Sequence, residues 1–344
     1  LLTLFSGCGS KKPGALRICL DIGDNNDDFF GNSTLESVAQ KLNSELDARL
    51  HEFFPELQGK VEFDIVPSAD SQSTERSATL QRIRTEIMSG GGPDVFICAC
   101  EGTEVSSLSS PRLFPYVRKS MEDGLFLPLD EFIKDAKYMD MDGLYPEIMA
   151  GGKNSKGEQV VMPLRFSVPM NIFHLADAPE KDYSGTAWDD VLSLKDPVLS
   201  ELAVWPWQGF QISLDSTRSS MHQSGTPLLF TDLADFSSGK LSFTEDELVE
   251  LMSRSIEGCR ALTETSGTLR TAAVAMDILV AGQNFTQEFR LAAPDEELNM
   301  VAMPNISGGV TGVASMYCAV NSSTQNPEAA FLVIDMLLSN NFQK

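Results

Sequence analysis

The side chains in this sequence best suited to chemistry are aromatic rings and amides. Trp205, Trp207 and Phe210 lie close together beside Gln208 and two turn formers, Pro206 and Gly209. A loop that offers flat apolar faces next to an amide can stack on the C–H face of a sugar and hydrogen-bond its hydroxyls. The same rings can instead fill a core beneath a turn. For Trp207 and Phe210 the two readings stand level, whereas Trp205 reads as core and Trp188 as packing at a helix start.

Catalytic and metal-binding patterns are sparse. The three histidines, His51, His174 and His222, never fall at helix-neighbour spacing, which excludes an HExxH zinc motif. There is no GxSxG elbow. Gly90-Gly91-Gly92 lacks the Gly-Lys-Ser/Thr continuation of a phosphate loop and follows a helix pattern rather than a strand. Asp24-Asn25-Asn26-Asp27-Asp28 begins like a calcium loop but has Phe29 where glycine is needed and Leu35 where a glutamate should close the shell. Asp140-Met141-Asp142-Gly143 is similar and shorter. No metal, cofactor or catalytic residue is therefore expected, and the chain reads as a non-enzyme.

The elements that would position these residues follow from periodicity. Residues 15 to 22 form a short apolar strand ending at Gly23 and Asp24. Leu35, Val38, Leu42, Leu46, Leu50 and Phe53 mark one face of a helix, with His51 on its exposed side. Residues 60 to 67 alternate as a strand does. A second helix turns Leu80, Ile83 and Ile87 inward and stops at Gly90-Gly91-Gly92-Pro93, and Asp94 to Cys98 is a third strand. This β-α-β-α-β series implies a parallel sheet covered by helices, with ligands at the carboxyl ends of the strands. Further on, residues 130 to 133 begin a short helix, and Gly157 to Pro163 reads as a strand ending at its proline. A helix starts near Thr186, and helical periodicity returns at 245 to 262. It returns again at 327 to 338, after a cap at Asn326.

At the amino end, Leu1-Leu2-Thr3-Leu4-Phe5-Ser6-Gly7-Cys8 resembles the tail of a bacterial lipoprotein signal, with Cys8 the lipidated residue. The polar run Gly9 to Gly14 suits a tether; the bland alternative is a first strand with an incidental cysteine. The remaining five cysteines, Cys19, Cys98, Cys100, Cys259 and Cys318, form no CxxC pair and read as small core residues. The chain is expected to continue past Lys344.

Composition bounds the rest. The 344 residues include 26 Lys+Arg against 49 Asp+Glu, a formal net charge of −23. That balance gives no electrostatic reason to bind nucleic acid or anionic lipid. At roughly 150 residues per domain, two domains are expected.

In order, Arg84 to Phe96, Gly157 to Leu164, Thr186 to Leu192, Ala273 to Met276 and Ser323 to Phe331 make the sequence similar to the family 1 extracellular solute-binding proteins. These are the maltose-binding-like lipoproteins of ABC importers. The resemblance implies an α/β, two-lobed, type II periplasmic-binding-protein-like fold with hinge-joined lobes and a ligand cleft. The division it implies is a signal remnant and tether at 1–14, lobe 1 at 15–166 plus 270–314, and lobe 2 at 167–269 plus 315–344. It also implies a monomer at the outer face of the cytoplasmic membrane, with a sugar or oligosaccharide as solute and importer permease subunits as partners. Carried over singly, the ligand-binding residues are Asp24 and Asn25 after the first strand, and Cys98 and Glu101 at the end of the third. Arg165, Phe166 and Ser167 follow at the hinge, and Trp207, Gln208, Phe210 and Gln283 lie beyond it. Cys98 departs from the sugar-binding pattern, where an aromatic ring is frequent. Two other classes keep a place: a lipid-anchored glycan-binding sensor or adhesin, and a surface glycan-active enzyme.

Overall fold

The computed structural model describes residues 14–22, 35–67, 74–99, 112–174, 234–235, 240–241, 244–247, 249–250, 253, 273–279, 298–302, 309–310 and 312–343. The chain opens with strand β1 (Leu16–Asp21), helix α1 (Leu35–Phe53), β2 (Val61–Ile65), α2 (Thr74–Met88) and β3 (Val95–Ala99). β1 pairs in parallel with β2 on one side and β3 on the other, so the expected series is present within two residues at each end. Its helices pack where the periodicity points. Leu35, Val38, Leu42, Leu46 and Leu50 of α1 are buried, as are Leu80 and Ile83 of α2. Gly90 and Gly92 adopt φ of 77° and 94° just past α2, a left-handed turn that a side chain would resist.

Three short helices follow: α3 (Val117–Glu122), α4 (Asp130–Lys134) and α5 (Pro146–Ala150). Strand β4 (Met162–His174) is long, and here the expectation is corrected: the strand does not end at Pro163 but begins beside it. Among the described residues, Met162–Ser167 of β4 pairs with β9 alone, so a residue without an N–H is tolerated at Pro163. Beyond it lie the small pair β5 (Ala234–Asp235) and β6 (Lys240–Leu241), then β7 (Ala273–Leu279), β8 (Leu298–Ala302) and β9 (Val313–Val320). Helices α6 (Pro327–Leu337) and α7 (Asn340–Gln343) come last.

The main sheet runs β2-β1-β3-β9-β4-β7, with β8 also paired to β4. β9 lies antiparallel between β3 and the first half of β4, as Phe96↔Ala319 and Met162↔Cys318 show. From Val168 onward β4 leaves β9 and pairs with β7, and from Met170 with β8 as well. One strand thus passes from the first sheet into a second set of partners, crossing between Ser167 and Val168.

Strand β9 lies between β3 and the first half of β4, and α6 packs in the core formed by β1, α1 and β3. Among the described residues, β7 and β8 pair with the far half of β4. The two faces of the first sheet carry separate cores. Leu16, Ile18 and Leu20 pack under α1 and α6. Cys19, Phe96 and Cys98 pack on the opposite side with Leu80 and Ile83 of α2.

Candidate functional site

The carboxyl edge of the first sheet is organised by a buried ion pair. Asp21 ends β1 at 1% exposure, and one of its oxygens accepts from Arg76 Nη2 at 2.8 Å. Its other oxygen accepts the Leu113 N–H at 2.8 Å, while Arg76 Nη1 donates to the Pro67 carbonyl at 2.6 Å. Arg84 of α2 adds bonds to the carbonyls of Arg112 and Leu113. The pair therefore ties the end of β1 to the connection after β2 and to the segment entering α3. A charge this deep requires a partner of opposite sign. Sequence reasoning missed it, although the signal was there: Asp21 closes an apolar strand, and Arg76 stands four residues before Leu80 on the inward face of α2.

Cys98, expected among the ligand contacts, closes the buried face of β3. It is 2% exposed and packs in the core beneath α2, because alternation along β3 sends it to the same face as Phe96. The neighbouring thiol of Cys19 is held protonated well above its ordinary range, first by burial and then by Cys98 and Asp21. Burial also raises the Cys318 thiol. Asp24, Asn25 and Glu101, together with Trp207, Gln208, Phe210, Gln283 and the lipidation candidate Cys8, lie outside the described residues.

The hinge candidates Arg165, Phe166 and Ser167 lie in succession on β4. Shifts of register on either side of Arg165 leave Leu164 unmatched opposite β9, a bulge that re-aims the strand where it crosses. Arg165 and Phe166, expected to face the interlobe cleft, border a cavity of about 220 Å³. Its other described walls are the 140–149 segment and the C-terminal residues Leu338 and Asn340. Phe166 meets Tyr145 edge to face, with centroids 5.4 Å apart and planes at 71°. Ser167 lies on β4 opposite Val313, at the crossing itself.

The 140–149 wall is held from below. Asp335 of α6, 1% exposed, accepts the backbone N–H groups of Lys137, Tyr138 and Met139 at 2.8, 3.0 and 2.7 Å. Asp140 caps its own short turn by accepting from Asp142 N at 3.2 Å, so the calcium-like motif is a local turn. Among the described residues no group of three His, Cys, Asp or Glu side chains is placed to hold a metal ion. No described helix is long and apolar enough to cross a membrane.

No protein-family model matches the sequence, and no curated protein matches it. Solved structures do. One is an extracellular solute-binding protein of family 1 from Alicyclobacillus acidocaldarius, with a TM-score of 0.51 and 15% identity over 96% of this chain and 76% of that one. Another is a periplasmic oligogalacturonide-binding protein from Yersinia enterocolitica, with a TM-score of 0.55 and 13% identity over 95% and 76%. A de novo designed cysteine esterase also matches, at a TM-score of 0.52 and 13% identity over 96% and 75%. The likeness is one of architecture. The chain has the α/β fold of type II periplasmic-binding-protein-like solute-binding proteins.

Proposed function

We propose that this protein captures a small solute, a sugar or oligosaccharide, by closing two lobes about the crossing of β4, and delivers it to an ABC importer without breaking a bond. The observation that carries the reading is the crossing. A single strand leaves the first sheet at Ser167 and is paired to a second set of strands from Val168 on. Because β9 runs antiparallel to β3, its start lies at the carboxyl end of that strand. The second set of partners therefore lies beyond the edge where α/β sheets hold ligands. A solute touching both lobes would favour the closed form.

On this reading Asp24, Asn25 and Glu101 contribute from the first lobe, Trp207, Gln208, Phe210 and Gln283 from the second, and Ser167 from the hinge. Lipidation of Cys8 would keep the protein, a monomer, at the outer face of the membrane beside its permease. The test is a thermal-shift screen of the full-length protein against glycans, amino acids and peptides. A ligand at a hundred times its Kd adds about 2.7 kcal/mol, which for lobes of this size raises Tm by roughly 5–10 °C. Shifts from amino acids or peptides with none from any glycan would overturn the sugar assignment, and product released from an intact glycan would overturn binding without catalysis.

A further inference from the structure

The first lobe reaches the crossing through α5, which is pinned to that lobe from both sides. Ahead of the helix, Asp335 of α6 holds the N–H groups of Lys137, Tyr138 and Met139. Behind it, the buried Gln159 amide donates to the Met149 carbonyl at 2.9 Å and to the Val161 carbonyl at 2.7 Å. The Gln159 N–H donates in turn to Asp130 at 3.0 Å. A short helix fixed in this way moves with the first lobe.

From this base α5 touches both strands at the crossing. Tyr145, which precedes the helix, meets Phe166 of β4 edge to face, with centroids 5.4 Å apart. Ile148 reaches the segment entering β9. A Cβ at Gly312 would collide with Ile148 Cδ1 and lie 3.6 Å from the Phe166 ring, so these groups are already in contact. Phe166 and Gly312 immediately precede Ser167 and Val313, which face each other where β4 and β9 meet. The contacts therefore fall where the chain passes between the first sheet and the partners of the far half of β4. Gly312 has no side chain, so the side chain that spaces its backbone from α5 is Ile148. Close-packed groups transmit strain instead of absorbing it. Bulk added or removed at this contact therefore tilts the crossing strands relative to the first lobe.

We propose that Ile148 is a wedge at the hinge, whose bulk against Gly312 sets the resting angle between the lobes. The proposal rests on the reading that the lobes close about the crossing of β4, and it adds a residue that regulates that closure.

The test is double electron–electron resonance on the full chain, with no ligand present. Nitroxides carried on p-acetylphenylalanine leave the cysteines untouched. One replaces Lys41, exposed on α1, and the other replaces Lys240, exposed in the stretch between Ser167 and Gly312 that is expected in the second lobe. Ile148→Ala removes bulk and Gly312→Ala adds it. Their mean distances should move in opposite directions from the parent, each by about 2 Å or more. Ile148→Val should fall between Ile148→Ala and the parent, and it keeps the test available if the larger cut unfolds the chain. The Gly312→Ala/Ile148→Ala double variant should return to the parent distance, because the added methyl occupies the vacated space. A packing role alone would lower Tm in the single variants and leave the distances in place. Unmoved distances, shifts of the same sign, or a double variant displaced like the single ones would overturn the wedge. The sugar screen reads thermal shifts of the parent chain, so its failure and the failure of the wedge are told apart.

Discussion

Asp335 interrupts the apolar face-filling of α6, yet it is the residue on which the 137–139 segment hangs. Replacing it with alanine strands three N–H groups, that of Met139 buried and those of Lys137 and Tyr138 partly so, and the expected loss is about 2–4 kcal/mol in urea unfolding, with less for Asp335→Asn, which keeps one acceptor oxygen. The Asp21–Arg76 pair follows the same logic. Arg76→Met leaves a buried carboxylate unpaired and should cost about 3–5 kcal/mol, and Asp21→Asn on top of it should recover part of that. The buried thiols give a pH signature. Cys19 and Cys318 have folded-state pKa values raised above the ordinary value of 9.0, so the folded state holds their protons more tightly than the unfolded one. Their contribution is full below pH 9 and is lost as pH rises above it. The Cys19→Ala/Cys318→Ala variant should therefore show a shallower alkaline decline in stability, measured by denaturant midpoints from pH 8 to 10.5. Cysteine as a core residue was legible from the absence of CxxC spacing, and Cys19, Cys98 and Cys318 are buried; which face of β3 a side chain takes was not legible from its position beside a loop.

At the scale of elements, two close approaches separate backbone from side-chain constraint. A Cβ at Gly152 would lie 1.9 Å from the Val161 carbonyl oxygen, which cannot swing aside. Gly152→Ala should destabilise by about 3 kcal/mol or more, beyond ordinary overpacking. Gly312→Ala meets only the tip of Ile148, so its cost should fall within about 1–3 kcal/mol and be largely relieved by Ile148→Ala. Thermal unfolding of the four variants checks both statements. The first five elements could be read from the sequence because β1 and β3 are short apolar runs buried on both faces, β2 alternates in sequence, and α1 and α2 bury one face at a spacing of three to four. The start of β4 could not. Proline ordinarily ends a strand, and at Pro163 it is admissible because, among the described residues, β9 is its one neighbouring strand.

For the molecule as a whole, the α/β class was within reach of the sequence, while the partners of each late strand were not. The apolar pattern of 313–320 carries no information about which strands it joins, and here its partners are β3 and β4, both far from it along the chain. The same arrangement predicts that a chain ending at residue 310 loses cooperative unfolding altogether, because Met316, Cys318 and Val320 of β9 and most of α6 belong to the core of β1 and α1. Far-UV circular dichroism melting is the check; a sharp transition in the shortened chain would contradict it. There is also a consequence for biosynthesis. The sheet keeps an empty slot between β3 and β4 until β9 emerges from the ribosome, an interval of roughly 8–30 s at ordinary elongation rates. During that time two strand edges stand open and the first lobe cannot close. A nascent chain in that condition is both vulnerable to aggregation and held unfolded, the state that threading through a translocation pore requires.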